Sequence, residues 1–250
     1  MSQGPTLDIA RKPGRPLVAA SILSADFGRM EAECRDVLER GADLLHVDVM
    51  DGHFVPNLTM GPDMVRALRR HFPEVYLDVH LMVQRPDAFV DAFAEAGASL
   101  LSFHVEVCRP MREDGLEASA VIEAIHGRGM AAGLVVNPPT PLEELARFER
   151  ELGEVELALV MSVNPGRSGQ RFMPEVLDKA RWLSGRLGGH QRLEMDGGLN
   201  PATAPAAVGA GVDVLVTASA LFGSEDRSAV IRELHEAAPA TGPATGPAGG

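Results

Sequence analysis

Residues 44–53 read Leu-Leu-His-Val-Asp-Val-Met-Asp-Gly-His, with an imidazole and a carboxylate two positions apart at the end of an apolar run. In a strand, residues i and i+2 face the same side, so His46 and Asp48 point together. The run breaks at Asp51-Gly52, a strong turn signal. A second segment, Val75-Tyr76-Leu77-Asp78-Val79-His80-Leu81-Met82, sets Asp78, His80 and Met82 on one face. A third apolar run ends at Asp196, directly before Gly197-Gly198. As one set, His46, Asp48, His80 and Asp196 offer two imidazoles and two carboxylates from three strands. Such a mixed N/O set suits one divalent ion with positions left open for substrate. Zinc fits best, and Fe(II), Mn(II) or Co(II) would also suit. Either histidine alone would read as a satisfied structural residue, and Asp196 alone as a cap on its glycine turn. Acids on the same faces make the set a site.

The elements that position these groups follow from length and pattern. The chain has 250 residues, 45% of them hydrophobic and 4% aromatic, so an aliphatic core is expected. A formal charge of −12 argues against nucleic acid or an anionic membrane as partner, and any phosphate must be held by local donors. Cys34 and Cys108 form no disulfide framework, which predicts a reducing, cytoplasmic setting. No apolar run approaches the roughly 20 residues needed to span a bilayer, and the N-terminus lacks the hydrophobic segment of a signal peptide. Residues 1–15 and the Ala/Pro/Gly-rich 237–250 are expected to be disordered tails, since neither buries enough apolar area to offset ordering entropy.

Between the tails, short apolar runs near 17–23, 43–49, 75–80, 99–104, 131–136, 155–161, 192–196 and 212–217 alternate with amphipathic segments. Continuous apolar runs are the mark of parallel strands buried on both faces. Phe27, Met30, Cys34, Val37 and Leu38 recur at helical spacing with Gly41 as a stop. Pro86, Pro141 and Pro174 can open further helices, and Gly97 can close one. The segment 201–210 is weaker, because Pro205 fits only in a first helical turn. Eight strand–helix units predict an α/β fold, a TIM (β/α)8 barrel over 16–236. A doubly wound open sheet is disfavoured, because no Gly-x-Gly-x-x-Gly turn follows the first run.

A barrel explains where the unusual residues fall. Ser21, His46, Asp48, Met50, His80, Met82, Met161, Asp196 and Ser219 all lie at or just beyond C-terminal strand ends, the catalytic face of such barrels. Asp48 and Asp196, from the second and seventh strands, would lie nearly opposite one another. Two opposed acid/base groups can invert a carbon beside a carbonyl, one removing its proton and the other returning one. Met50, Met82 and Met161 read as core filling, with a polarisable, non-ionising site wall as the functional alternative. Three rim loops, 163–170, 196–198 and 217–220, combine glycines and a hydroxyl in turns able to aim N–H groups at a phosphate.

These blocks, together with Ser21-Ile22-Leu23-Ser24-Ala25-Asp26-Phe27 and Met161-Ser162-Val163-Asn164-Pro165-Gly166, resemble the ribulose-phosphate 3-epimerase family from about Leu17 to His235. The resemblance implies a metal-dependent barrel interconverting D-ribulose 5-phosphate and D-xylulose 5-phosphate through an enediolate. It makes His46, Asp48, His80 and Asp196 the metal ligands, with Asp48 and Asp196 as proton acceptor and donor. It makes Ser21 and His80 substrate contacts, and gives Gly166, Arg167, Ser168, Gly169, Gly197, Gly198, Ala218 and Ser219 to substrate, mainly at phosphate. A homo-oligomer is implied by analogy, with Ala, Leu and Val on outer helical faces available for a subunit contact.

The chain departs from the family pattern in three places. Arg167-Ser168 stands where Phe-Gly is usual, so a positive φ at Ser168 would be strained. Ala218 replaces a glycine, and the stretch 108–115 looks longer than usual. His104 and Glu106 face one way and read either as support behind the ligand set or as a buried hydrogen-bonding pair. His53, His71, His126, His190 and His235 read as surface residues. The rival functions are epimerisation of D-allulose 6-phosphate, which needs more room at the sugar end, and a non-catalytic phosphosugar-binding barrel, which would not need both aspartates. A one-base isomerase fits less well, because it does not need opposed carboxylates.

Overall fold

The eight apolar runs become the eight strands of one closed parallel barrel in a computed structural model that describes residues 5–11 and 14–239. The strands are β1 (Leu17–Ser21), β2 (Leu44–Met50), β3 (Tyr76–Met82), β4 (Leu100–His104), β5 (Ala131–Val136), β6 (Leu157–Met161), β7 (Arg192–Asp196) and β8 (Val214–Thr217). Each pairs with the next in sequence, and β8 closes on β1. Helices α1 (Met30–Glu39), α2 (Pro62–His71), α3 (Val90–Ala96), α4 (Ala118–Gly127) and α5 (Leu142–Leu145) cover the first half. Helices α6 (Glu149–Leu152), α7 (Leu177–Ser184), α8 (Ala204–Gly209), α9 (Ser219–Phe222) and α10 (Arg227–His235) cover the second.

Local chemistry sets most of these boundaries. Pro205 falls in the first turn of α8, where its missing N–H costs no helical bond. Gly97 ends α3 in the left-handed conformation at φ 93°. The Asp226 side chain accepts from Ala229 N to cap α10. Pro86 and Pro174 open single 3-10 turns that lead into α3 and α7. One apolar position departs from expectation: Phe27 sits in a short turn ahead of α1 and is 47% exposed.

Strand register stacks the interior in layers. Leu44 lies beside Tyr76, His46 beside Asp78, Asp48 beside His80, and Met50 beside Met82. The lowest layer is apolar, with Leu17, Leu44, Tyr76, Leu100, Leu157 and Val214 in one cluster. Polar groups occupy the middle and upper layers, and methionines line the mouth. Outward-facing residues such as Val47, Val79, Leu101 and Leu193 pack beneath the helices in a second, larger cluster.

Within the N-terminal segment expected to be a disordered tail, residues 5–11 lie against the barrel, and 1–4 and 12–13 lie outside the described residues. Ile9 is buried, Leu7 packs beside it, and Thr6 N donates to Glu74 O at 3.1 Å. Arg192, buried at the start of β7, donates to Ile9 O at 2.8 Å and Ala10 O at 2.7 Å. Residues 5–11 are held here because Leu7 and Ile9 cover the apolar barrel bottom while the Ile9 and Ala10 carbonyls supply acceptors that a buried guanidinium requires. At the other end Ala237 packs against the core, while residues 240–250 of the expected tail lie outside the described residues.

Candidate active site

Period-2 strand geometry and the β2–β3 register bring four predicted residues together. One donor atom from each of His46, Asp48, His80 and Asp196 lies within 4.8 Å of the other three. His46 Nε2 stands 3.4 Å from Asp48 Oδ1. His80 Nδ1 stands 3.3 Å from that same oxygen and 3.9 Å from Asp196 Oδ2. Ser21 Oγ donates to the other oxygen, Asp48 Oδ2, at 2.5 Å.

The donor atoms fit a divalent ion. His46 Nε2 is buried without a hydrogen-bond partner and stands 3.4 Å from Asp48 Oδ1 in the cluster, a nitrogen open to an ion that displaces any proton it carries. On the other side of the ring, His46 Nδ1 lies 2.5 Å from Asp78 Oδ2, an acceptor that holds the ring proton there. Donors about 2.0–2.2 Å from one ion stand about 3–4.4 Å apart, so the cluster needs only a small contraction to bind one.

The two catalytic candidates are driven in opposite directions. Burial would raise the Asp48 carboxyl, but His46 and His80 outweigh it and hold Asp48 well below the usual range. Asp196 is raised to about 7, first by burial and then by the Asp48 charge. Burial lowers His80 to about 4 against the opposing pull of Asp48, which leaves a neutral imidazole. Burial would lower His46 as well, but Asp78 and Asp48 win and raise it well above its ordinary value.

Above the cluster opens a cavity of about 440 Å³. Asp48 and Asp196 form part of its lining, while His46 and His80 sit beneath it. Ser21, Met50, Met82 and Met161 line it, as do Gly166, Arg167, Ser168, Gly169, Gly197, Gly198, Ala218 and Ser219. His80 is thus the one predicted substrate contact that does not reach the cavity.

Gly197 and Gly198 have φ of 121° and 66°. A Cβ would fall 2.5 Å from Val163 Cγ2 at the first and 2.5 Å from Phe172 N at the second. These glycines let the loop after β7 press against the loop after β6. Ser168 is not strained, because no described non-glycine residue has positive φ. Helix α9 begins at Ser219, and the N–H groups of a first turn have no acceptor within their own helix. The stretch 108–115 folds back on itself through Arg109 N to Leu116 O at 2.8 Å, away from the cavity lining.

Several site residues had no role assigned from sequence. Asp78 and Glu194 lie behind His46, with Glu194 Oε1 3.6 Å from its Nδ1. Burial and the Asp78 charge raise Glu194 well above its ordinary value. Each sits two positions before a predicted ligand, so the same alternation could have found it. Phe172, Asn200 and Thr203 also line the cavity, from loops without any periodic signal. His235 is not a surface residue: it is half-buried, with Nε2 2.8 Å from Asp43 Oδ2. His126 is exposed yet pairs with Glu156 at 3.0 Å, while His53, His71 and His190 are exposed as expected.

Comparison with known proteins bears on this geometry. The profile described as the ribulose-phosphate 3 epimerase family matches residues 17–222. A ribulose-phosphate 3-epimerase of Bacillus subtilis is 43% identical over 222 residues, covering 87% of this chain and 97% of that protein. The cytoplasmic isoform of Oryza sativa subsp. japonica is 42% identical over 219 residues, covering 88% and 92%. Among solved structures, 3-hexulose-6-phosphate synthase from Salmonella typhimurium superimposes with a TM-score of 0.65 at 15% identity. That alignment covers 88% of this chain and 97% of the synthase and is a likeness of fold. The chain belongs to the ribulose-phosphate 3-epimerase family of isomerases.

Proposed function

We propose that this enzyme interconverts D-ribulose 5-phosphate and D-xylulose 5-phosphate by passing the C3 proton through Asp48 and Asp196, with an enediolate between them. The observation that carries the reading is two aspartates in one cavity lining whose surroundings drive their carboxyls apart. Asp48, held ionised, accepts the proton from one face of C3. Asp196, raised to about 7, returns one to the other face, and the roles exchange in the reverse direction. Ser21 fixes the Asp48 carboxylate by donating to Oδ2, while Oδ1 faces the ring nitrogens of His46 and His80. When bound by His46, Asp48, His80 and Asp196, a divalent ion, zinc foremost, would polarise the C2 and C3 oxygens and offset the enediolate charge.

Met50, Met82 and Met161 wall the reacting carbons with groups that cannot exchange protons. The rim at 166–169, 197–198 and 218–219 takes the phosphate through N–H groups, a hydroxyl and the Arg167 charge. The same reading puts the enzyme in the cytoplasm as a homo-oligomer, in keeping with one relative's designation as a cytoplasmic isoform. No helix among the described residues is long and apolar enough to cross a membrane.

The test is hydrogen exchange at C3 in heavy water, followed by NMR on zinc-loaded enzyme with ribulose 5-phosphate. Deuterium at C3 with xylulose 5-phosphate appearing is expected, lost on chelation and restored by zinc. Asp48→Asn and Asp196→Asn, both folded, should each lose about 10²–10⁴-fold. Full activity in either variant overturns the two-base mechanism. Exchange with allulose 6-phosphate alone would move the assignment to the six-carbon ketose.

A further inference from the structure

His80 can offer Nδ1 to a cation only if its ring proton sits on Nε2, and the neutral ring has no intrinsic reason to keep it there. Its Nε2 lies 2.9 Å from His104 Nε2, at the end of β4. His104 Nδ1 lies 3.1 Å from Glu106 Oε2. Both imidazoles are fully buried, 5.0 Å apart at 30° between planes, with the Phe54 ring 4.5 Å from His104. The other Glu106 oxygen, Oε1, accepts from Asn137 N at 2.8 Å and from the Thr140 hydroxyl. Lys179 Nζ in turn donates to Asn137 O at 2.6 Å and Pro138 O at 2.5 Å, which anchors this loop to α7.

Two nitrogens facing one another admit only two polarities, and the groups beyond them select one: Asp48 Oδ1, 3.3 Å from His80 Nδ1, also faces His46 Nε2 at 3.4 Å, whereas Glu106 Oε2 meets His104 Nδ1 closer, at 3.1 Å. An ionised carboxylate only accepts, so His104 must carry its proton on Nδ1 and leave Nε2 bare. A bare His104 Nε2 requires a donor, which places the His80 proton on Nε2 and frees the Nδ1 lone pair. The opposite polarity would set a bare His104 Nδ1 against the carboxylate and put a proton where His80 meets the cluster. We infer that His104 and Glu106 are positioning residues that fix the tautomer of His80 and thereby set the affinity of the four-residue cluster for its divalent ion. This rests on the reading of His80 as a metal ligand.

Glu106→Gln is the decisive variant because the backbone N–H of Asn137 cannot reverse. The amide oxygen must face Asn137 and Thr140, so the amide NH₂ faces His104 and inverts the whole relay. Two readouts apply to the full chain: histidine ring tautomers by two-bond ¹H–¹⁵N correlation on metal-free protein, and the Zn²⁺ Kd by chelator competition. In the wild type His80 is expected as the Nε2–H tautomer. In Glu106→Gln it should become Nδ1–H, with Zn²⁺ bound about 10–100-fold more weakly. Thr140→Val, which removes one donor but preserves polarity, should keep the wild-type tautomer and stay within about threefold in Kd.

An Nδ1–H tautomer in the wild type overturns the inference, and this measurement stands even if Glu106→Gln does not fold. So does an unchanged tautomer and Kd in a folded Glu106→Gln. Failure of the wild type to bind Zn²⁺ while His80 shows Nε2–H would sink the metal reading and leave the tautomer relay intact.

Discussion

Asp48 and Asp196 are the same side chain under opposite local fields. Asp48 lies against two imidazoles and a hydroxyl, whereas Asp196 is buried beside the Asp48 charge. The difference has a consequence for stability. In metal-free protein Asp196 takes up its proton near pH 7 rather than 3.8, so between these values the native chain holds more protons than the unfolded one. Stability from this group therefore falls as pH rises through that window, by up to about 4 kcal/mol. Urea titrations of the metal-free enzyme should show Asp196→Asn gaining stability over the wild type progressively from pH 4 to 7. Parallel curves for the two proteins would refute the raised carboxyl. Zinc should reverse the order, because it binds the wild type through Asp196 and the variant lacks that ligand.

At the scale of an element, the loop between β6 and α7 forms one side of the cavity and is tied at both ends of its arc. Ser24 and Ser168 hydroxyls lie 2.5 Å apart, and Asn57 Nδ2 donates to Gly166 O at 3.0 Å. Gln170 Nε2 closes the loop on itself at Asn164 O and Arg167 O. The serine that displaces the usual glycine thus gains a partner without a positive φ. Ser168→Gly removes that partner and adds backbone freedom. Amide exchange across 165–170 should quicken by about 3–10-fold, as one net hydrogen bond predicts. The KM for the phosphorylated ketose should rise more than kcat falls. Unchanged exchange would mean the serine pair does not restrain the loop.

Across the whole molecule the barrel's two ends do different work, chemistry at the C-terminal face and closure at the other. Ile9 and Leu7 seal the closed end, and Arg192 holds the segment by its backbone carbonyls. Ile9→Ala should lower unfolding stability by about 2–4 kcal/mol, read from denaturant midpoints. Its kcat should stay within twofold, because the polar layers lie between this end and the cavity. A variant as stable as the wild type would show that the segment merely rests on the barrel.

The sequence by itself determined the strands, their order and the polar groups at their ends, since period-2 alternation and apolar runs are properties of local backbone geometry. His46, Asp48, His80 and Asp196 were legible on those grounds, and so were the rim loops at 166–169 and 197–198. Asp78 and Glu194 were visible in the same alternation but gained meaning only when closure of the barrel set both against one face of His46. The tertiary structure alone decided that His80 meets His104 across the β3–β4 register, and that Glu106 meets a loop 31 residues onward. It also decided that a polar N-terminal stretch carries the plug of the barrel floor. Such pairings depend on stagger between strands and on which surfaces closure leaves unfilled. Those quantities belong to the assembled barrel and to no single segment of the chain.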